Sequence, residues 1–132
     1  MLRRTPNATI NHRLDVTARD PVLSAAAPGT SLQHAEPHPC DDSAAPHYEW
    51  EYGGATSFAT VADHLDALLT ANGWSRQPNY QRVDDPERGD KRMGWYQKRV
   101  DGWTVAASVF ESDAGYRVVA QVDSDLYSGC AR

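Results

Sequence analysis

Several features that identify common protein classes are missing from this sequence of 132 residues. No run of apolar residues approaches the roughly 18 that a membrane-spanning helix requires, so no membrane span is predicted. The formal net charge of −5 and the isoelectric point near 5.4 argue against general binding to the phosphate backbone of nucleic acids. A glycine-rich phosphate loop and the G-x-S-x-G motif of serine hydrolases are both absent. The sequence therefore favours neither a nucleotide-binding protein nor a hydrolase.

Cysteine is also scarce, with only two residues, Cys40 and Cys130. They lie just outside the two ends of the predicted core, and the termini of a domain are often close in space. We therefore predict a disulfide bond between them; the alternative is two unpaired thiols in a cytosolic protein. A disulfide implies an oxidising compartment, so the protein is predicted to be secreted. No hydrophobic segment that could serve as a signal peptide is visible at the N-terminus in this numbering.

The aromatic residues divide the chain into two parts. All four tryptophans and all six tyrosines lie within residues 47–132, whereas residues 1–46 contain neither. Large aromatic side chains supply much of the core of a small domain. We therefore predict a small α+β domain over residues 47–132, preceded by an extended N-terminal arm and linker over residues 1–46.

The predicted arm contains one segment with regular patterning. Apolar and polar residues alternate over residues 9–18, which predicts a β-strand that presents Ile10, Leu14 and Val16 on one face. Residues 24–46 are rich in alanine, proline, serine and histidine and contain few residues suited to a core. This composition predicts an extended linker, so the strand is expected to stand apart from the folded domain.

The clearest element of the predicted domain is a helix over residues 57–72. Its apolar residues recur at the i, i+3, i+4 and i+7 spacing of one helical face, namely Phe58, Val61, Ala62, Leu65, Leu68 and Leu69. Ser57 or the preceding threonine can cap the N-terminus by accepting a backbone N–H. Gly73 suits the left-handed position that ends many helices, and Trp74 would then contact Leu69.

The remaining strands are predicted to form an antiparallel sheet. The aromatic residues between His47 and Gly53 alternate with glutamates, as in a half-buried strand. Asp101-Gly102 is the strongest short hairpin signal in the chain, and a second tight turn follows at residues 112–115. The element order is β-α-β-β-β-β, so one amphipathic helix is predicted to pack on a four- to five-stranded antiparallel sheet.

The two hairpins predict strand registers that agree with each other. With Val100 opposite Trp103 and Glu111 opposite Tyr116, one face of the sheet becomes apolar and suited to the helix. The opposite face is polar apart from four residues, Met93, Trp95, Phe110 and Val119. Such an apolar patch marks an interaction surface, unless the N-terminal arm folds back over it.

Three groups of residues have the types that bind metals or catalyse reactions. The first consists of five possible metal ligands, His34, His38, Cys40, Asp41 and Asp42. Prolines interrupt that segment, so a linker without a metal site is predicted. Asp63-His64 lacks a neighbouring nucleophile, and the acidic turn at residues 84–90 does not have the spacing of a calcium-binding EF-hand loop. No catalytic residue, metal site or cofactor is therefore predicted, and the protein is not expected to be an enzyme.

Several short motifs are spread over residues 29–132, and the first of them begins one residue earlier, at Pro28. They are Pro28-Gly29-Thr30, Cys40-Asp41-Asp42, Asn72-Gly73-Trp74, Trp95 with Lys98, Tyr116 followed by Val118, and Cys130. Together with the amphipathic helix, they resemble small exported proteins and lipoproteins of high-GC actinobacteria. The resemblance implies a secreted or envelope-attached α+β domain with a disulfide between its ends. The lipobox cysteine and signal sequence of the lipoproteins are not seen in this sequence, and the resemblance supplies no catalytic residues.

The strand-patterned arm motivates the leading functional prediction. An extended segment can add a strand to the sheet or groove of a partner, so we predict a small secreted adaptor that binds a protein partner through this arm. Its anchors would be Ile10, Leu14 and Val16. Trp95 and Phe110 would form a second partner-binding surface. By analogy alone, this layout suits a component of an exported multi-protein, toxin-like particle.

The alternative prediction is an immunity or inhibitor protein. A small acidic domain suits binding to a basic enzyme, because complementary charges speed association. Its binding surface would contain five acidic residues, Glu49, Glu51, Asp84, Asp85 and Glu87. Both predictions place the function at a contact with another protein, without nucleic acid, membrane span or cofactor.

Overall fold

The computed structural model of this chain describes residues 5–6, 8–39, 45–85, 87, 89–122 and 130–131. Its elements, in chain order, are β1 (Thr5–Pro6), α1 (Ala8–Ala18), β2 (Thr30–His38), β3 (His47–Gly54), α2 (Phe58–Ala71), β4 (Ser75–Arg76), β5 (Tyr96–Val100), β6 (Trp103–Glu111), β7 (Gly115–Gln121) and β8 (Cys130–Ala131). β1 and β8 form a separate pair, and the other six strands form one sheet in the order β2-β3-β7-β6-β5-β4. All its pairings are antiparallel, so the predicted α+β class with an antiparallel sheet is confirmed. The described residues form two helices, where one was predicted.

The predicted helix over residues 57–72 is present as α2. The side chain of Ser57 accepts a backbone N–H of the first turn, as an N-cap does. At the other end, Gly73 has a φ of +87° and the N–H of Trp74 donates to the carbonyl oxygen of Leu69. This is the bond of a Schellman motif. The apolar stripe of α2 is buried in the core, as its spacing predicts.

Both predicted hairpin registers are confirmed. β5 pairs with β6 so that Val100 lies opposite Trp103, and β6 pairs with β7 so that Glu111 lies opposite Tyr116. The two residues of the first turn have φ angles of 47° and 87°, which suit a two-residue hairpin. Trp103 and Tyr116 are buried on the face beneath the helices. We call this the covered face of the sheet and the opposite one the open face.

The strand predicted over residues 9–18 is wrong, because these residues form α1. Ile10, Leu14 and Thr17 are buried together. Their spacing of four and then three residues is that of one helical face. Val16 is half-buried against the same core. Burial of these side chains outweighs the modest helix propensity of the β-branched residues in the segment.

Part of the predicted linker is also a regular element. Thr30–His38 forms β2, which pairs with β3 along its length and ends with His38 opposite His47. β2 lies at one edge of the sheet and most of its side chains are exposed. Its composition therefore does not resemble that of a core strand. Residues on both sides of the predicted boundary at residue 46 contribute to the same sheet.

A β-bulge changes the predicted position of Met93. Arg92 forms a bridge to Phe110 of β6. Tyr96, four residues after Arg92, pairs with Ala107, which is only three residues from Phe110. The extra residue shifts the alternation of side chains, so Met93 lies in the core and not on the open face, where the uninterrupted register predicted it.

The hydrophobic core lies between the covered face and the two helices. The segment that follows α1 completes it, because Tyr52 donates a hydrogen bond to the carbonyl oxygen of Leu23 and Tyr116 accepts one from the N–H of Ala27. These bonds, 2.6 and 2.9 Å long, attach residues 22–27 to β3 and β7. Among the residues that the structure describes, neither helix has the length and apolar character needed to cross a membrane.

Candidate metal-binding site

Ionisable side chains are concentrated at one end of the open face, where β2 pairs with β3. The register places Glu36 opposite Glu49 and His38 opposite His47. Alternate residues of a strand share a face, so these four side chains project from the same side of the sheet. His34, two residues before Glu36, joins them. We call these five residues the His–Glu cluster.

Three members of the His–Glu cluster bring potential ligand atoms together. One such atom from each of His38, His47 and Glu49 lies within 4.8 Å of the other two. Oε1 of Glu49 is 3.1 Å from Nε2 of His47, and Oε2 is 3.4 Å from Nε2 of His38. The two imidazole rings are stacked, with their centroids 4.8 Å apart. The carboxylate of Glu49 therefore spans the edges of two parallel rings.

The hydrogen bonds of His47 determine which of its nitrogens carries a proton. Nδ1 lies 2.8 Å from the carbonyl oxygen of Ala45, which can only accept, so Nδ1 carries a proton and donates it. In the neutral imidazole, the lone pair of Nε2 then faces Glu49 at 3.1 Å. Two electron-rich atoms at this distance repel each other unless a proton or a cation lies between them. The ring of His47 is buried, which strengthens that requirement.

His38 has a buried ring nitrogen without a hydrogen bond. Its Nε2 atom is shielded from solvent and makes no hydrogen bond within the described residues. The nitrogen is 3.3 Å from Oε1 of Glu36 and 3.4 Å from Oε2 of Glu49, and each contact is an ion pair when the ring is protonated. Buried polar atoms without a partner are uncommon in native proteins. A cation between these atoms would accept the lone pair of Nε2 in the neutral ring.

The carboxylates of the cluster favour a positively charged ligand. Nε2 of His34 lies 3.2 Å from Oε2 of Glu36, and this hydrogen bond is the main cause that holds the pKa of Glu36 below its usual value. Glu36 is therefore ionised at neutral pH. Together with Glu49 it places two carboxylates beside the stacked histidines.

Three nitrogen–oxygen distances in the cluster are close to the separation of two ligands in a tetrahedral metal site. Nitrogen and oxygen ligands lie about 2.0–2.1 Å from zinc, which puts two ligands of a tetrahedron about 3.3 Å apart. The nitrogen–oxygen distances that involve His38 and His47 are 3.1, 3.3 and 3.4 Å. The hydrogen bond from Nδ1 of His47 to a backbone carbonyl is also the usual outer support of a histidine ligand.

The residues predicted to bind a partner lie elsewhere. Ile10 and Leu14 are buried in the core and Val16 is half-buried against it, which contradicts the expectation that they stand free on an exposed strand. Trp95 and Phe110 are half-buried and contact each other edge to face, with ring centroids 6.4 Å apart. Of the five, Val16, Trp95 and Phe110 are therefore the partly accessible residues.

The predicted disulfide falls largely outside the described part of the chain. Cys40 is not among the described residues, and of Cys130 only the backbone is described. That backbone lies opposite Pro6 in the β1–β8 pair. The bond between the two cysteines therefore stays a prediction.

The acidic residues of the predicted inhibitor surface have different environments. Glu49 belongs to the His–Glu cluster, and Glu51 is half-buried in the same strand. Asp84 forms an ion pair with an arginine at 2.6 Å. Asp85 and Glu87 are exposed. At least two of these five carboxylates thus have partners within the protein.

His47 and Glu49 were missed as possible ligands in the sequence. The signal that could have found them is the alternation of ionisable residues in two segments, His34-x-Glu36-x-His38 and His47-x-Glu49. Two adjacent antiparallel strands bring such segments onto one face. Because the first segment was predicted to be a linker, the two were never paired.

No family model, curated protein or solved structure matches this chain. A functional assignment therefore depends on the chemistry of its own residues. Among the described residues, the His–Glu cluster is the feature with the most specific chemistry.

Proposed function

We propose that this protein binds a divalent transition-metal ion at the His–Glu cluster, with zinc as the best match. The observation that supports this most is the buried Nε2 atom of His38, which has no hydrogen bond and lies 3.3 and 3.4 Å from two carboxylate oxygens. His47 presents its second ring nitrogen to the same carboxylate of Glu49. A metal ion among these atoms would accept both lone pairs and offset the negative charge.

The ligand types select the class of metal. Imidazole nitrogen combined with carboxylate oxygen suits zinc and its first-row neighbours copper, nickel and iron. Calcium and magnesium instead take sites built from oxygen ligands. Two histidines and one glutamate are a known zinc-binding set. Zinc is therefore the appropriate first probe.

The metal ion would connect the edge of the sheet to its neighbouring strand. Glu36 and His38 come from β2, whereas His47 and Glu49 come from β3. Oε1 of Glu36 lies 3.3 Å from Nε2 of His38, so Glu36 is the nearest further carboxylate to the three ligand residues. An ion held between two neighbouring strands supports a binding or stabilising role.

Isothermal titration of zinc chloride into the metal-free protein tests the proposal. We expect one ion per chain. His47→Gln keeps a polar side chain but removes the ligand nitrogen, and it should weaken binding by roughly 100-fold or more, since even outer-shell changes weaken metal sites by 10- to 100-fold. His12→Gln is the matched control, because His12 is exposed on α1, and it should bind zinc like the wild type.

The proposal is wrong if the wild type takes up no zinc, or if His47→Gln takes it up equally well. Nitrogen-15 NMR of His47 then identifies what holds the cluster together. Protons on both ring nitrogens would indicate an imidazolium that forms an ion pair with Glu49. In that case the cluster stabilises the β2–β3 pair without a metal.

A second candidate is the adaptor function predicted from the sequence, acting through β2 and not through the N-terminal segment. β2 is the first strand in the sheet order, so its outer edge pairs with no described strand. It carries Leu32, which is 46% exposed. A free strand edge can accept a strand from a partner. Pro37 and the bulge at Gln33 weaken such an edge, so this candidate ranks second.

Capture from the native secretome with immobilised protein tests the adaptor proposal. A partner retained by the wild type should be lost with Leu32→Lys, which places a charge on the free edge. Equal recovery with both proteins, or recovery of nothing, would remove this candidate. Recovery of a basic enzyme would instead support the inhibitor alternative, for which the net charge of −5 remains the main support.

A further inference from the structure

A cavity of about 420 Å³ lies between the end of α1 and the β5–β6 hairpin. Its apolar wall includes Val16 of α1, Trp74 beyond α2, and Val100 of β5. Small-molecule sites typically have volumes of about 300–1,000 Å³ and mostly apolar walls with a few polar groups. The cavity shares no residue with the His–Glu cluster.

Two residues of the cavity wall have buried polar atoms without partners. Thr17 and Trp74 are each 3% exposed. The hydroxyl of Thr17 and the indole Nε1 of Trp74 make no hydrogen bond within the described part of the chain. An indole N–H can only donate, so its partner has to be an acceptor. Leaving both atoms unpaired is unfavourable, and the two residues line the same cavity.

The charges around the cavity favour an anionic occupant. Its wall contains three cationic and two acidic residues, a net charge of +1, namely Arg19, Lys98, Arg99, Asp20 and Asp101. The ammonium group of Lys98 lies 5.9 Å from the ring centroid of Trp74 and 3.9 Å from Oδ2 of Asp20. The other oxygen of Asp20 accepts two backbone N–H groups, so this carboxylate is held in place by the chain itself.

The geometry points to a binding site for a small amphipathic carboxylate in this cavity. The apolar body of the ligand would lie against Val16, Val100 and the ring of Trp74. Its carboxylate would accept hydrogen bonds from Trp74 and Thr17 and pair with Lys98. A neutral alcohol of the same shape lacks the charge that Lys98 recognises. The site is independent of the proposed metal binding.

Octanoate is a suitable probe, with 1-octanol as the neutral control of equal chain length. In proton–nitrogen NMR spectra, the indole N–H signal of Trp74, assigned with Trp74→Phe, should shift and saturate as octanoate is added. Lys98→Met should weaken octanoate binding by about tenfold or more, the effect of losing a charge-assisted contact. Lys91→Met is the matched control, since Lys91 is the only other lysine and pairs with Glu111.

A second variant separates ligand binding from folding. Thr17→Val keeps the shape of the side chain but removes its unpaired hydroxyl. It should melt at the same or a higher temperature than the wild type, while it binds octanoate more weakly. The proposal is overturned if octanoate does not shift the Trp74 signal, if 1-octanol shifts it equally, or if Lys98→Met binds octanoate as tightly as Lys91→Met. If the NMR spectra show that the indole N–H of Trp74 contacts water and not octanoate, water fills the cavity and the proposal is also overturned.

Discussion

The covered face and the open face of the six-stranded sheet carry different kinds of side chains. On the covered face, Trp50 and Tyr52 of β3 are fully buried beneath the helical layer. On the open face, the same strand presents His47 and Glu49, which face the ionisable residues of β2. β3 therefore contributes to both faces at once, because alternate residues of a strand point in opposite directions. The comparison indicates that the covered face carries the stability of the fold, whereas the open face carries the proposed metal site.

Two polar clusters, one on each side of the sheet, differ in how completely their atoms are paired. On the covered side, Asp66 of α2 accepts a hydrogen bond of 2.9 Å from Nε of Arg76 and another from the hydroxyl of Tyr96. The hydrogen bonds from Arg76 are the main cause that lowers the pKa of Asp66. In the His–Glu cluster, by contrast, Nε2 of His38 has no hydrogen bond within the described residues. The first cluster stabilises the protein as it stands, whereas in our proposal an ion would complete the second.

Removal of residues 1–20 is the most severe test of the covered face. α1 buries Ile10 and Leu14, and burial of one such aliphatic side chain contributes about 1.5–3 kcal/mol. We expect the truncated protein to lose about 3–6 kcal/mol of unfolding free energy, measured by urea denaturation. An unchanged unfolding free energy would contradict the buried position of α1 and would instead support an N-terminal arm that stands apart from the domain.

Leu65→Ala tests the packing of α2 on the covered face. Leu65 is buried, so we expect a loss of about 2–4 kcal/mol in unfolding free energy. The control is Leu32→Ala on the exposed edge strand, which should change stability by less than about 0.5 kcal/mol. The folded fraction of Leu65→Ala should bind zinc like the wild type. A similar effect of the two leucine substitutions would show that the burial of Leu65 is misassigned.

Asp66→Ala tests the fully paired polar cluster. The position of Asp66 at the edge of the apolar stripe predicts a small effect, but its hydrogen bonds to Arg76 and Tyr96 lead us to expect a loss of about 1–3 kcal/mol. Asp63→Ala on the same helix is the control. Asp63 forms an exposed ion pair with Arg82, so its loss should cost less than about 1 kcal/mol. Equal effects of the two aspartate substitutions in urea titrations would refute this distinction.

Asp66 also predicts a dependence of stability on pH. Its pKa is lowered in the folded protein. The resulting stabilisation is complete above the unfolded pKa of about 3.9 and is lost as the pH falls through the lower folded pKa. The difference in unfolding free energy between the wild type and Asp66→Asn should therefore be largest at neutral pH and shrink in acid. A difference that stays constant through this range would mean that the ionised carboxylate is not the stabilising group.

His34→Ala gives the smallest expected effect, and it concerns the open face. His34 contacts Glu36 at 3.2 Å and would act on the proposed metal ion through that residue. We expect zinc binding to weaken by roughly tenfold, as for other outer-shell changes, with the unfolding free energy of the metal-free protein almost unchanged. Unaltered zinc affinity in isothermal titration would remove Glu36 from the ligand set. Complete loss of binding would make His34 itself a ligand.

The elements that could be predicted from the sequence are those decided by local interactions. α2 has an apolar stripe, an N-cap at Ser57 and a stop at Gly73, and the Asp101-Gly102 turn sets the register of β5 and β6. Residues 9–18 were misassigned because their alternation fits a strand and a helix alike, and the choice depends on burial of Ile10 and Leu14. That burial is a tertiary effect, which a local pattern does not contain.

The metal site was harder to predict than the fold around it. His38 was recognised as a possible ligand, but its partners come from the next strand, beyond a connection at residues 39–46. β2 is an exposed edge strand without apolar alternation, so nothing in its hydrophobic pattern distinguished it from a linker. The position of His38 opposite His47 can be predicted only when β2 and β3 are known to be adjacent antiparallel strands.

Anomalous X-ray scattering at the zinc absorption edge, measured on crystals grown with zinc, tests the metal site most directly. We expect one strong peak between β2 and β3, about 2.0–2.2 Å from Nε2 of His38, Nε2 of His47 and a carboxylate oxygen of Glu49. A crystal with no peak at this position, or with zinc only at exposed histidines such as His12, would contradict the proposal that the open face of the sheet is a metal-binding surface.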